Sequence, residues 1–465
     1  MTPTDTSGNR TTRKEMTLWG VGSIGETIMQ QSVGALVMPI FTTAFGMSAV
    51  LVSWAITIPR LLDAFADPII GLMSDNARTR WGRRRPFLLL GAILCGILVA
   101  AVWWVPQGWP EAWKFTALLI GLIVFWLAFT LYQIPLLALG YELTEDYHQR
   151  TDVMAMRSLF CALPTFFLGW TYWLALRPVF GGEIHGIRMV SLVLGLLVFI
   201  SGAIPVVFCR ERYQTTSQPQ LGLVAALKAT LKNRYFLHLM GIQSCVNIGM
   251  GIFNAVFFYV NVYYICGGNK SLATQITAVG GTLFSITMFA GIPATPFFSR
   301  RLGKKNSMVF GFVLLLGNAL LSYFLQDPAR PYLQLIGTAL AGISVLFATL
   351  FINAFIADIC DLDEDQVGQR REGMFTAVMG FINKVQVSIA SVIAGYLVEH
   401  VSNFNASLAT QSTDTLRRLQ LSAIVPYILC YGVGLAAAWL FPINQKMMDA
   451  VQARLHLARA NRKQA

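Results

Sequence analysis

Runs of about twenty apolar residues recur along the chain, FLLLGAILCGILVAAVWWV from Phe87 and MVSLVLGLLVFISGAIPVVF from Met189 among them. As helices, at 1.5 Å per residue, such runs cross a ~30 Å hydrocarbon layer. That layer admits only helices and closed barrels, because backbone groups find no water there. Composition points the same way: 55% of the 465 residues are hydrophobic and 12% charged, about half the charged share of a soluble domain. The expected fold class is an all-α membrane protein with twelve transmembrane helices, at roughly 17–44, 49–75, 87–105, 114–141, 158–177, 187–209, 235–265, 273–298, 307–326, 332–358, 373–399 and 421–442. Residues 1–16 are polar and the first span is too long for a signal-peptide core, so no cleavable signal is expected.

Basic residues orient the spans. With both termini on the cytoplasmic side, the inner segments collect most of the 35 Lys and Arg, including five arginines in NARTRWGRRRP, Arg300, Arg301, Lys304, Lys305 and the basic C-terminal segment. The positive-inside rule therefore puts both ends on the cytoplasmic side, and the expected location is a plasma membrane of the bacterial inner-membrane type. It also accounts for the net charge of +12 through anionic membrane lipids, without nucleic acid. Seven scattered cysteines form no CxxC and read as small core residues. The triplets at Asn269 and Asn405 match a glycosylation sequon that arises readily by chance. No nucleophile–base constellation, P-loop or dinucleotide motif stands out, so an enzyme is not expected and no cofactor is called for beyond a coupling ion, H+ or Na+.

The chain repeats itself. RWGRRRP after span 2 is echoed by RLGKKNS after span 8, setting Gly82 against Gly303, 221 residues apart. EDYHQR after span 4 is echoed by EDQVGQR after span 10, setting Arg150 against Arg370, 220 apart. Two six-helix pseudo-repeats in parallel describe the major-facilitator kind of transporter, which rocks one half against the other around a midplane site. The expected organisation is an N-terminal tail at 1–16, a first bundle at 17–209, a central cytoplasmic loop at 210–234, a second bundle at 235–442 and a C-terminal tail at 443–465.

Counted from the inner ends of their spans, Glu26, Asp63, Asp67, Thr130, Gln133 and Lys384 share one layer at depths of about 12–18 Å. Asp63 and Asp67 stack on one helix face. Charge in hydrocarbon is costly and usually faces a cavity and a partner, and Lys384 is the natural counter-charge. The bland alternative is a structural ion pair, Arg60 with Asp63 at i,i+3 and Asp67 with Lys384. Pro68 directly after Asp67 removes a backbone hydrogen bond and frees a carbonyl beside the carboxylates, which suits a small cation.

RLLDAFADPIIGLMSDNARTRWGRRRPF resembles the span 2 and loop 2–3 signature of the glycoside–pentoside–hexuronide:cation symporters, and DLDEDQVGQRREGMFTAVMGFINKVQ resembles their segment after span 10. The Ile134-Pro135 pair is similar to theirs as well. The resemblance implies a cation site at Asp63, Asp67 and Thr130, with the two aspartates as metal ligands if the ion is Na+, and with Lys384 lying against it. It implies that Arg157 lies near the sugar. The sequence departs from the melibiose-permease type at Ala66, where an asparagine is usual, and at Thr27 and Gln133, which replace aspartates that hold galactosides. Leu137 also stands where an aromatic is usual. A glycoside, pentoside or hexuronate other than melibiose is the expected substrate. Thr27, Gln133, Arg157, Lys384, Glu26, Asn247 and Asn353 are the candidate contacts, with Asn254 beside them.

Tyr132, Trp170, Tyr172 and Trp173 are a possible stacking face, although aromatics at this density are more often packing or interface anchors. Asp75 with Arg83 and Arg84, and Asp361 with Arg371, are candidate charge locks at the inner ends of the two halves; the alternative is topogenic charge alone. A lipid or lysolipid symporter and a non-transporting sensor remain open as other classes. A monomer is the expected working unit.

Overall fold

In the computed structural model, which describes residues 12–144, 147–209, 230–367, 372–405, 408 and 410–464, the described chain is helical throughout apart from short connections. It divides into two compact units, Met1–Gln218 and Pro219–Ala465. The division falls inside the expected central loop, of which residues 210–229 lie outside the described ones.

The first unit contains α1 (Arg13–Thr43), α2 (Ala49–Asn76), α3 (Arg85–Ala101), α4 (Glu111–Tyr141), α5 (Tyr147–Leu168), the short α6 (Trp170–Ala175) and α7 (Glu183–Phe208). The second contains α8 (Arg234–Tyr259), α9 (Lys270–Gly291), α10 (Thr295–Leu325), α11 (Gln334–Val367), α12 (Glu372–Tyr396), α13 (Thr413–Leu440) and α14 (Gln445–Gln464). Side-chain caps mark where several of these begin. Thr12 accepts from the Glu15 amide, Ser48 from Leu51, Asn233 from Tyr235 and Phe236, and Ser412 from Thr415. The sequon residue Asn269 is also a cap, accepting from the Leu272 amide at 3.0 Å. Prolines 39, 68, 135, 164, 205 and 426 lie inside helices, as neighbouring helices allow in a bilayer.

Ten segments among the described residues are long and apolar enough to cross a membrane, against the twelve spans expected. Two features account for the difference. Helix α1 carries Glu26, Gln30 and Gln31 and is not among the ten. The segment Lys270–Leu325 counts once although, at 56 residues, it joins α9 and α10. Its inner part breaks at Gly303, which takes φ 79° inside α10.

The repeat is physical. In the first unit the packed pairs are α1–α5, α1–α7, α2–α4, α3–α4 and α3–α7. In the second they are α8–α12, α8–α13, α9–α11, α10–α11 and α10–α13, the same five pairs in the same order. Gly82 and Gly303, matched by the sequence echo, both sit at positive φ, 104° and 79°, a conformation other L-residues rarely adopt. Close backbone approach recurs too. A Cβ on Gly91 of α3 would lie 2.6 Å from the Tyr132 nitrogen of α4, and one on Gly311 of α10 would lie 2.5 Å from the Ala348 nitrogen of α11. The matching pairs of ions are Arg83 and Arg84 on Glu142, at 3.2 and 2.9 Å, and Lys304 on Asp358, at 2.7 Å.

Residues 443–465, expected as a tail, largely form helix α14. Its Met448, Val451 and Leu455 are buried in the core of the second unit, and its Arg454 meets Asp365 of α11 at 2.7 Å. The spacing of three and four residues is that of one helix face.

The glycine contacts make a stability prediction. Gly311→Ala forces a methyl group against the α11 backbone and should destabilise the purified protein by ~1–3 kcal/mol, the usual cost of overpacking. Gly317→Ala on the same helix, where a Cβ meets nothing within 4 Å, should be neutral or stabilising by up to ~1 kcal/mol. Denaturant or thermal melts in detergent check this; equal effects at the two positions would contradict it.

Candidate functional site

Helix α2 sets Asp63 and Asp67 one turn apart, and its packing against α4 brings Thr130 opposite both. The Thr130 hydroxyl donates to Asp63 Oδ1, with Asp67 Oδ1 and the Trp126 carbonyl oxygen each 3.2 Å away. One hydroxyl proton therefore faces three acceptors, and oxygens of two carboxylates and a hydroxyl converge. Asp63 is 1% exposed and its Oδ2 lies 3.8 Å from Arg60 Nη1. The Arg60 guanidinium in turn lies 3.6 Å from the Trp126 ring centroid, a cation–π contact that keeps the cation beside the acid. This is the i,i+3 ion pair of the structural alternative. Asp67 is only partly buried, and Pro68 beside it has no N–H for the Ala64 carbonyl one turn back. Ala66, buried between the aspartates, offers no side-chain oxygen.

A second cluster joins three helices of the same unit. Arg157 of α5 donates through Nη2 to both oxygens of Glu26 of α1, at 2.7 and 2.8 Å. Gln133 of α4 donates to Glu26 Oε1 at 2.8 Å. Glu26 is 5% exposed, and the buried Nε of Arg157 has no hydrogen-bond partner among the described residues. Thr27, next to Glu26, is tied to the Ser23 carbonyl at 3.2 Å, which leaves its oxygen able to accept. Across the two clusters three carboxylates stand with two guanidiniums. Among the described residues no group of three or more Asp, Glu, His or Cys side chains forms a metal site, so an ion held at α2 would rely on two carboxylates and the Thr130 oxygen.

The aromatics are packing. Tyr132 is fully buried and donates to the Gly22 carbonyl at 2.7 Å. Tyr172 donates to Glu183 Oε1 at 2.5 Å. Trp173 meets Trp170 edge-on and carries the Arg177 guanidinium on its face.

Lys384, Asn247 and Asn353 belong to the second unit. Lys384 lies partly buried on α12 and Asn353 is exposed on α11. Asn247 donates to Asn383 and Gln386, at 3.1 and 2.6 Å, and accepts from Gln243 at 3.0 Å, so its amide is taken up in bracing α8 to α12. Of the candidate locks, the Asp75 side chain and Arg371 lie outside the described ones, and Asp361 is partly buried on α11. Arg83 and Arg84 converge on Glu142, which is 1% exposed. Sequence reasoning did not single out Glu142 or Asp358. The signal was available in the repeat, since each is an acid on the helix that packs against the matching basic segment.

Residues 18–445 match the family described as MFS/sugar transport protein. The isoprimeverose transporter of Lactiplantibacillus pentosus is 25% identical over 89% of this chain and 85% of its own. The putative glycoside/cation symporter YagG of Escherichia coli (strain K12) is 26% identical over 97% of this chain and 96% of its own. Among solved structures, the nucleoside transporter NupG superposes with a TM-score of 0.65 at 14% identity, covering 92% of this chain and 98% of that one. A D-xylose-proton symporter gives 0.62 at 13% identity, covering 92% and 97%. These last two likenesses show the fold. The match across most of the chain places this multi-pass membrane protein in the MFS/sugar transport family, as a transporter and not an enzyme.

Proposed function

We propose that the protein is a twelve-span secondary transporter, with both termini cytoplasmic, that couples a monovalent cation to symport of a neutral glycoside or pentoside by alternating access. The observation that carries this is the convergence of Asp63, Asp67 and Thr130 oxygens inside an apolar helix pair. The relatives' printed names, a glycoside/cation symporter and an isoprimeverose transporter, support the same substrate class.

The two clusters divide the work. Asp63, buried and held near Arg60, sets the local charge. Asp67, partly exposed, receives the ion. Three carboxylates against two guanidiniums leave one negative charge in this layer of the first unit, which a coupling ion balances when it is bound. Lys384 is the residue we assign to balancing it at other stages of the cycle. Glu26, Gln133, Arg157 and Thr27 form the sugar-facing cluster. Because both Glu26 oxygens engage Arg157, the guanidinium is already neutralised, and a neutral sugar fits better than a hexuronate. A polar, charge-balanced cluster of this kind also suits a sugar better than a lipid.

Uptake into proteoliposomes tests the reading. Asp67→Asn should lower cation-driven accumulation roughly tenfold or more, as expected for losing a charge-assisted interaction of ~1.5–3 kcal/mol, while exchange persists. Full uphill accumulation in this variant would refute the assignment. Lys384→Ala should flatten the dependence of substrate affinity on the cation; an unchanged dependence would reduce the lysine to a structural part.

Two further outcomes concern selectivity. Glu26→Gln frees the Arg157 charge, so the ratio of glucuronide to neutral glycoside uptake should rise several-fold; a fixed ratio would show that the pair does not set substrate charge. With Ala66 supplying no oxygen, protons are the expected coupling ion, since a proton needs one carboxylate and sodium several oxygen ligands. Ala66→Asn should then add sodium stimulation, read as uptake against sodium concentration at fixed pH. A native protein that requires sodium and ignores a pH gradient would overturn the proton assignment.

A further inference from the structure

The second unit contains a cavity of about 270 Å³, walled by α8, α9, α10, α11 and α13. Its lining mixes amides and hydroxyls with aromatic rings, and none of its described lining residues is charged. Two of the polar residues are left unsatisfied. Among the described residues, Gln326, 3% exposed, has no hydrogen-bond partner at either Oε1 or Nε2, and Asn318, 5% exposed, has none at Oδ1. Leaving both ends of a buried amide unmade is costly, and native proteins rarely do so without water or a ligand. Gln334 and Thr277 of the lining are braced behind the cavity: Asn261 accepts from Gln334 at 2.9 Å and donates to Thr277 at 2.9 Å. Among the rings, Phe253 stacks on Tyr427 with centroids 4.3 Å apart and on Phe257 at 4.9 Å, forming an apolar part of the wall.

Small residues keep the space open. A Cβ on Gly337 would lie 3.6 Å from the unsatisfied Asn318 Oδ1, whereas one on Gly281 would meet nothing within 4 Å.

We infer that this cavity is a binding site for a small, neutral, polyhydroxylated ring, distinct from the Glu26–Arg157 cluster of the first unit. An amide that must both donate and accept is matched by vicinal hydroxyls, which do the same. A ring with one face of C–H groups suits the Phe253–Tyr427 wall, and the absence of charged lining disfavours ions. The volume is near the lower limit of ~300 Å³ for small-molecule pockets, so one sugar ring with a small aglycone fits and a long oligosaccharide does not. That the ring is a glycoside of the transported class rests on the proposed function.

Water is the competing occupant, since the cavity has room for about nine molecules at ~30 Å³ each. Equilibrium dialysis of the full-length protein in nanodiscs separates the two, using radiolabelled methyl β-D-xyloside, methyl β-D-glucoside and phenyl β-D-glucoside. Saturation at two sites per chain is expected for at least one probe. Gln326→Leu removes the unsatisfied amide and Gly281→Leu adds bulk at a lining position where a Cβ meets nothing within 4 Å, so each should weaken one site roughly tenfold or abolish it. Neither should remove Asp67-dependent uptake. A single site per chain that both variants leave intact, or the same two sites in both variants, or no saturable binding of any probe, means a water-filled cavity only and overturns the proposal. Failure of the symport reading looks different: uptake would then be insensitive to Asp67→Asn, whatever Gln326→Leu does to binding.

Discussion

A carboxylate in a hydrocarbon layer has no water to fall back on, so each acid buried in this protein dictates what surrounds it. Glu26 draws Arg157 and Gln133 from two other helices. Asp63 holds the Thr130 hydroxyl and the Arg60 guanidinium, and Trp126 then has to cover that guanidinium. Glu142 gathers Arg83 and Arg84, and Asp358 gathers Lys304. These ties join α1 to α5 and α4, α2 to α4, and the loop before α3 to the C-terminal end of α4. Van der Waals packing alone would leave apolar helices in lipid free to slide, since lipid tails are as apolar as leucine. The acids fix the register.

The repeat shows how such a register is inherited and adjusted. The basic segments and glycines of α3 and α10 correspond at offsets of 220–221, as Gly82 with Gly303 and Gly91 with Gly311 show. Their partners on α4 and α11 correspond at 216: Tyr132 with Ala348, Glu142 with Asp358. The second unit thus carries one helical turn less before that helix contact, and the turn is regained by the time the sequence echo at Arg150 and Arg370 is reached. A shift of about four residues keeps the same face of a helix toward its neighbour. The packing pairs survive it unchanged.

Much of this was legible in the sequence because a bilayer leaves few choices. Apolar length gave the helices, and two echoes gave the halves. The acid pair Asp63–Asp67 stood out because charge is rare in such runs. What was hidden depended on contacts between distant segments. Nothing local in MGIQSCVNIG says that Asn247 is spent on Asn383 and Gln386 and not on a ligand. The apolar face of α14 was readable at Met448, Val451 and Leu455, but its charged flanks made the segment look like a solvated tail. The turn of slippage on α4 could not be seen, because both echoes lie outside the slipped stretch.

The two aspartates are unequal, Asp63 buried and Asp67 partly exposed. Were both as buried as Asp63, an ion could reach neither without breaking the Thr130 tie and exposing Arg60. Were both as accessible as Asp67, the layer would have no fixed charge against which binding could register. One hydroxyl bridging a fixed and an accessible carboxylate satisfies both demands, since a change at Asp67 is felt at Asp63 through a single oxygen. Thr130 stands on α4 three residues before Gln133, whose amide rests on Glu26. On a helix that separation places them on one side. The Asp63–Asp67 cluster and the Glu26–Arg157 cluster therefore share one element of the first unit, and a displacement of α4 alters the hydrogen bonds available to both.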